Sequence, residues 1–348
     1  MYIKYPLLKT HHYLKSNFIF EFGEHNKIAS TTALFIEKTC KNSCSILFLR
    51  SDCRMIDYSG YLHKKKIFFL NKYVMFFVFI FCLIFNRNIF ITTLPEGASN
   101  TAARVFQFFI LLCLPLYQKT IGLVVRDLKK NRAKRFLKLL KNQKVQIFAE
   151  SLSLKETYEK IVNKQIYFIY SNFFYPIKNK KKKKYITFLG SIDQRRRDYR
   201  IAKSVISALP NEKYLFLGHI SIGESQLFFN YQFGNFKNIF SKVYFKNIEF
   251  DTFLKSTKVF ININKQEFYR NVKGSAFLGD AFFAGTKCFV PQELYNKNED
   301  HLLIAYKNTQ EIISKIKQNS ISFQINKHYQ NKMQKMFSNY IKHLFNNE

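Results

Sequence analysis

The chain has 348 residues, 47% hydrophobic and 23% charged, a balance that supports one large or two ordinary folded domains and excludes a wholly disordered or collagen-like polypeptide. Lys and Arg number 56 against 23 Asp and Glu, a formal charge of +33, so the surface attracts nucleic acid, acidic lipid headgroups or phosphorylated substrates. With 40 Phe and 21 Tyr beside abundant Lys, Asn and Ile, genome composition accounts for the charge equally well, and charge alone selects no partner.

Apolar runs of strand length alternate with longer helical segments, the pattern of an α/β fold. In the first half, strands are expected at Phe18–Phe22, Ser45–Leu49, Asn88–Thr92, Thr120–Val125, Val145–Phe148 and Gln165–Tyr170. The segment 67–86 reads as one apolar helix whose uninterrupted core, Tyr73–Phe85, is 13 residues long. A spanning helix needs about 20. Phe106–Leu116 is shorter and carries Pro115. Because His63 to Lys66 adjoin the first run, a helix lying on an anionic membrane surface and a buried core helix are both open readings. Ser153-Leu-Lys-Glu156 has the spacing of a capping box and starts a helix.

Pro176 and the lysines at 178 and 180–184 mark a solvated linker between domains. Beyond it the alternation restarts, with strands at Tyr185–Leu189, Tyr214–Leu217, Ile239–Tyr244, Val259–Ile263, Cys288–Val290 and Leu302–Ala305. Helices fit at Arg197–Leu209 and Ser275–Ala284, and Lys327–Phe345 reads as a Lys-rich amphipathic helix that packs back across the junction. The expected organisation is an N-terminal domain over 1–176, a linker over 177–184, a second domain over 185–326 and a closing helix over 327–348.

The six Cys, at 40, 44, 53, 82, 113 and 288, show no paired C-x-x-C spacing and the chain has eight His, so neither a zinc centre nor a disulfide framework is expected. Met1–Lys15 lacks the continuous apolar region of a secretory signal. A reducing, cytoplasmic setting is expected, with contact to the inner face of the cytoplasmic membrane left open.

Two segments carry candidate chemistry. In Phe188-Leu-Gly190-Ser-Ile-Asp-Gln-Arg195-Arg-Arg197 a strand ends at Gly and a basic loop opens a helix, which lets backbone and Arg approach a phosphate. In Lys273-Gly274-Ser275-Ala-Phe-Leu-Gly279-Asp280 a helix would begin with free amides facing an anion, Lys273 adding charge and Asp280 offering a carboxylate to ribose hydroxyls. Each segment is also what an ordinary α/β turn on a cationic chain looks like.

In FLGSIDQRRRDY at 188–199, KYLFLGH at 213–219, EFDTFLKSTKVFIN at 249–262 and NVKGSAFLGDAFFAGTKCFVP at 271–291 the second half resembles the nucleotide-sugar domain of glycosyltransferases of the GT-B fold. In the first half only the strand–helix layout is similar. The resemblance implies two Rossmann-like βα domains facing a central cleft, a nucleotide-sugar donor, a glycan or lipid-linked acceptor, and no metal or further cofactor. It implies donor contacts at Gly190, Arg195, Arg196, Lys273, Gly274, Ser275 and Asp280. Ser191 stands where relatives often have Arg, and Val272 where they have the first of two Glu, which leaves donor identity and stereochemical outcome open. Base candidates on the N-terminal side are Glu24, His25, Glu96 and Asp127, supported by loop position. No nucleic-acid partner is expected. The competing readings are a basic nucleic-acid-binding protein and a non-catalytic membrane-associated scaffold on a degenerate form of the fold.

Overall fold

The computed structural model describes residues 17–21, 44–49, 67–93, 112–125, 131–141, 144–170, 183–190, 195–218, 239–242, 247–265, 277–318 and 322–345, with single positions 29, 32, 33, 36, 105, 109, 193 and 233. Two parallel sheets organise them. The first has seven strands: β1 (Asn17–Glu21), β2 (Cys44–Leu49), β3 (Ile67–Leu70), β4 (Ile89–Thr93), β5 (Ile121–Val124), β6 (Val145–Ala149) and β7 (Tyr167–Phe168), in the order β3-β2-β1-β4-β5-β6-β7. The second has six: β8 (Tyr185–Leu189), β9 (Lys213–Leu217), β10 (Ile239–Lys242), β11 (Thr257–Ile261), β12 (Cys288–Pro291) and β13 (Leu303–Tyr306), in the order β10-β9-β8-β11-β12-β13. Both run outward from their first strand and then reverse, the doubly wound arrangement with a switch point beside that strand.

The helices are α1 (Lys72–Ile84), α2 (Asn131–Leu139), α3 (Leu152–Val162), α4 (Tyr199–Ala208), α5 (Asn247–Lys255), α6 (Phe277–Ala284), α7 (Thr309–Lys317) and α8 (Lys327–Phe345). Parallel strands buried on both faces read as continuous apolar runs, which is why β1, β5 and β6 are legible in the sequence. One expectation is corrected: 67–86 is not a single helix. Ile67–Leu70 is a strand paired with β2, and Asn71 then caps α1, its Oδ1 accepting from Tyr73 N at 3.1 Å and Val74 N at 2.9 Å. A second correction concerns α3. Its cap is Ser151, whose hydroxyl accepts from Leu154 N at 3.2 Å, not Ser153; Glu156 instead takes long contacts from Asn296 and Asn298 across the junction. Nor is Lys183 a solvated linker residue. It closes the end of α6 by donating to Ala284 O at 2.6 Å and Thr286 Oγ1 at 2.7 Å, and burial lowers its pKa to about 8.

Successive residues of a strand face opposite sides, and the two faces of the second sheet join different cores. Phe188, Tyr214 and Phe216 pack under α4 and α7. Leu215, Leu217 and Phe260 join α6 in a core that continues into the first domain. The first sheet divides likewise. Phe79 of α1 meets Phe20 edge-on at 5.2 Å, whereas α8 covers the other face through Phe345 on Phe90 and Tyr340 on Tyr167. The closing helix therefore crosses back to the N-terminal domain, as its amphipathic pattern predicts. At the junction Glu299, fully buried, accepts from Leu152 N at 3.2 Å and Tyr170 Oη at 3.1 Å.

Candidate functional site

In an open parallel sheet the switch point leaves a crevice at the carboxyl ends of two neighbouring strands, here β8 and β11. The chain leaves β8 through Gly190, whose φ of +108° lies in the region that side chains avoid. A Cβ there would sit 2.1 Å from Arg197 Nη2, so the absence of a side chain at 190 is what admits the Arg197 guanidinium against the backbone. Arg197 is held from the other side by an antiparallel bridge to Asn264. Asp198 N donates to Ile263 O at 2.8 Å and Lys265 N to Arg196 O at 3.0 Å. The turn after β8 is thereby laced onto the end of β11.

Asp193 organises the outer part of this turn. It accepts from Arg195 N at 3.0 Å and from Arg196 Nε at 2.8 Å. Partial burial opposes its ionisation, but the hydrogen bonds from Arg196 and Arg195 outweigh it and hold the carboxyl below its usual range. Asp193 N donates to the Tyr199 hydroxyl at 3.2 Å, and burial raises that phenol to about 12. Asp198 then caps α4, accepting from Arg200 N at 3.1 Å.

The floor of the crevice is polar. Asn262 Oδ1 accepts from Asn264 N at 2.9 Å, and Tyr306 Oη donates to Asn262 O at 2.9 Å. Among the described residues, the buried Asn262 Nδ2 and Asn264 Oδ1 have no hydrogen-bond partner. A donor and an acceptor thus lie beside Gly190 and Arg197, and buried polar atoms normally find partners. The next connection in the sheet carries Asp280 in the first turn of α6, only 3% exposed in a helix buried along its length.

At the other switch point, Glu21 ends β1 fully buried, and Thr92 of β4 donates its hydroxyl to the Glu21 carboxylate. Of the residues expected from sequence, Gly190, Arg195, Arg196 and Asp280 are described; Lys273, Gly274, Ser275, Glu24, His25, Glu96 and Asp127 lie outside the described residues. Arg195 and Arg196 turn to Asp193, the former with a side chain 87% exposed. Arg197 is the arginine brought against Gly190. The sequence pattern includes Arg197 in the basic segment and at the head of a helix but singles out Arg195 and Arg196, and it gives no signal for Asn262 and Asn264. For Glu21 there was a signal: a lone charged residue ending an otherwise buried strand.

No protein-family model and no curated protein matches the chain. Solved structures do. A putative UDP-N-acetylglucosamine 2-epimerase from Listeria monocytogenes superimposes with a TM-score of 0.57 at 11% identity, over 92% of this chain and 91% of its own. The pneumococcal O-GlcNAc transferase GtfA, in complex with UDP and GlcNAc, gives 0.59 at 9% identity over 95% and 97%. An alpha-glucosyltransferase in complex with UDP-glucose and DNA containing an abasic site gives 0.55 at 8% identity over 94% and 95%. The architecture is accordingly that of the GT-B fold: two Rossmann-like domains, here tied together by the returning helix α8.

Proposed function

We propose that the protein is a glycosyltransferase that binds a nucleotide-sugar at the β8/β11 switch point and transfers the sugar to an acceptor held by the N-terminal domain. The observation that carries this reading is the Gly190–Arg197 contact beside Asn262 and Asn264: a buried cation against a backbone without a side chain, at the place where such sheets receive nucleotides. Glycosyl transfer expels a nucleoside diphosphate, and a preset positive charge stabilises that leaving group as the bond to the sugar lengthens. Arg197 serves this role, Arg195 and Arg196 extend the positive field, and Lys273, Gly274 and Ser275 supply the second phosphate contact. Asp280 accepts from the ribose hydroxyls. Glu24, His25 and Asp127 are the candidates for the base that activates the acceptor. The acceptor is a glycan or lipid-linked glycan of cell-surface synthesis, reached from the cytoplasmic side.

Calorimetry with UDP-, GDP- and CMP-sugars on the wild type, Asp280→Ala and Arg197→Lys tests the donor site. One nucleotide class binds, and each variant weakens it by about 1 to 3 kcal/mol through a lost charged hydrogen bond. Unchanged affinity in both variants removes the site. Epimerisation of the sugar nucleotide is the second reading, favoured by the likeness to the Listeria structure. It is separated by following the donor alone: an epimerase converts the sugar without acceptor, a transferase does not.

A further inference from the structure

α1 is apolar on every side, yet only one side is covered. Met75, Phe79 and Cys82 are buried against the sheet. Tyr73, Phe77, Phe81, Ile84 and Phe85, on the opposite arc of the helix, are 40 to 69% exposed. With 100° per residue these five fall within one third of the circumference. The exposed surface continues beyond the helix. The crossovers β3→β4, β4→β5 and β5→β6 all move the same way across the sheet, and right-handed crossovers then lie on one face. Phe109, in the second of these connections, packs on Phe76 of α1 with ring centroids 4.6 Å apart. The flanking Val105 and Leu112 are each 57% exposed. The third connection, α2, brings exposed Leu139 together with exposed Arg135, Lys138 and Lys141. Large apolar side chains and cations thus share one face of the N-terminal domain.

We propose that this face docks on an anionic lipid bilayer, with α1 lying in the plane of the interface and Tyr73, Phe77, Phe81 and Ile84 entering the acyl boundary. Two observations choose the occupant. A net charge of +33 opposes the approach of a second copy and favours an anionic surface. A continuous aromatic and aliphatic stripe has no complement on the phosphate backbone of a nucleic acid, whereas an interfacial helix uses an apolar face and a basic surround together. At 13 residues α1 is about 20 Å long, and no helix among the described residues is long and apolar enough to cross a membrane, so the contact is in-plane. The surface lies outside the donor site, and the proposal stands or falls separately from sugar transfer.

The test uses the full chain and vesicles of phosphatidylcholine with or without phosphatidylglycerol. Sedimentation with the anionic vesicles is expected for the wild type, with at least tenfold weaker partitioning for Tyr73→Gln/Phe77→Gln/Ile84→Gln and for vesicles of phosphatidylcholine alone. The chain contains no Trp, so a Phe77→Trp variant reports its own position: its emission shifts to the blue on anionic vesicles and is quenched by bromine on the acyl chains. The proposal is overturned by vesicle binding that the triple variant leaves intact, by indole emission that vesicles do not move, or by a stable dimer that buries the indole without lipid.

Discussion

Gly190 and Arg197 are a pair in which each residue explains the other. Any side chain at 190 meets the guanidinium and sits at a φ of +108°, so Gly190→Ala costs about 1 to 3 kcal/mol of stability through backbone strain. On the proposed donor site, the same substitution is expected to weaken nucleotide-sugar binding by displacing the Arg197 guanidinium; thermal melts and calorimetry on one sample read the two effects. The glycine at the end of a strand was legible in the sequence, although an ordinary α/β turn carries the same pattern. The choice among three consecutive arginines was not. It is made by Asn264, 67 residues further on, through a backbone bridge that no local pattern encodes.

Helix boundaries divide in the same manner between local and distant information. α4 begins two residues after its expected start, and α8 spans Lys327–Phe345 as its periodicity requires. The strand β3 was absorbed into the neighbouring helix because Ile67–Leu70 and α1 are both apolar. Only Asn71 separates them, and its cap bonds to Tyr73 and Val74 were the available signal. In α3 two serines compete for one cap. Ser151→Ala is expected to cost about 1 kcal/mol, and Ser153→Ala a few tenths at most, as chemical denaturation will show. The capping-box reading failed because the helix already begins at Leu152, which places Ser153 inside its first turn. α8 is sensitive at Gly122, where a Cβ would lie 2.4 Å from both Leu344 and Phe90. Gly122→Ala lifts the end of the helix from the sheet, and hydrogen exchange speeds up in residues 337–345 before it does elsewhere.

For the whole molecule, the junction is governed by one carboxyl. Burial raises Glu299 to about 7, while Glu156 of α3 adds repulsion, Tyr170 donates to it and Tyr329 stands beside Tyr170. A carboxyl raised on folding binds more protons in the native than in the unfolded chain between its two pKa values, so its contribution to stability is full below about 4.5 and is lost as pH rises to about 7. Asp193 and Asp198, both held low by arginines, act in the opposite sense and only at more acid pH. Thermal midpoints of Glu299→Gln therefore lie close to the wild type at pH 5 and above it at pH 8. A Glu299→Gln midpoint that does not rise relative to the wild type between pH 5 and pH 8 contradicts this account. An α/β chain whose alternation restarts beyond residue 184 was readable from the strand and helix periods, which differ; the Rossmann-like form of its two halves came from the family resemblance. What joins them was not readable, because Glu299, Leu152 and Tyr170 lie far apart in sequence.

The returning helix also sets an order of assembly. Asn88 touches the carbonyl of Phe345 across 257 positions, and Phe90, Phe148 and Tyr167 wait for α8 to shelter their side of the sheet. During synthesis the first seven strands emerge with that greasy flank bare until nearly all of the second domain has been made. Early strand pairing must survive this interval, and a nascent chain held there presents a sticky platform to chaperones or to its neighbours.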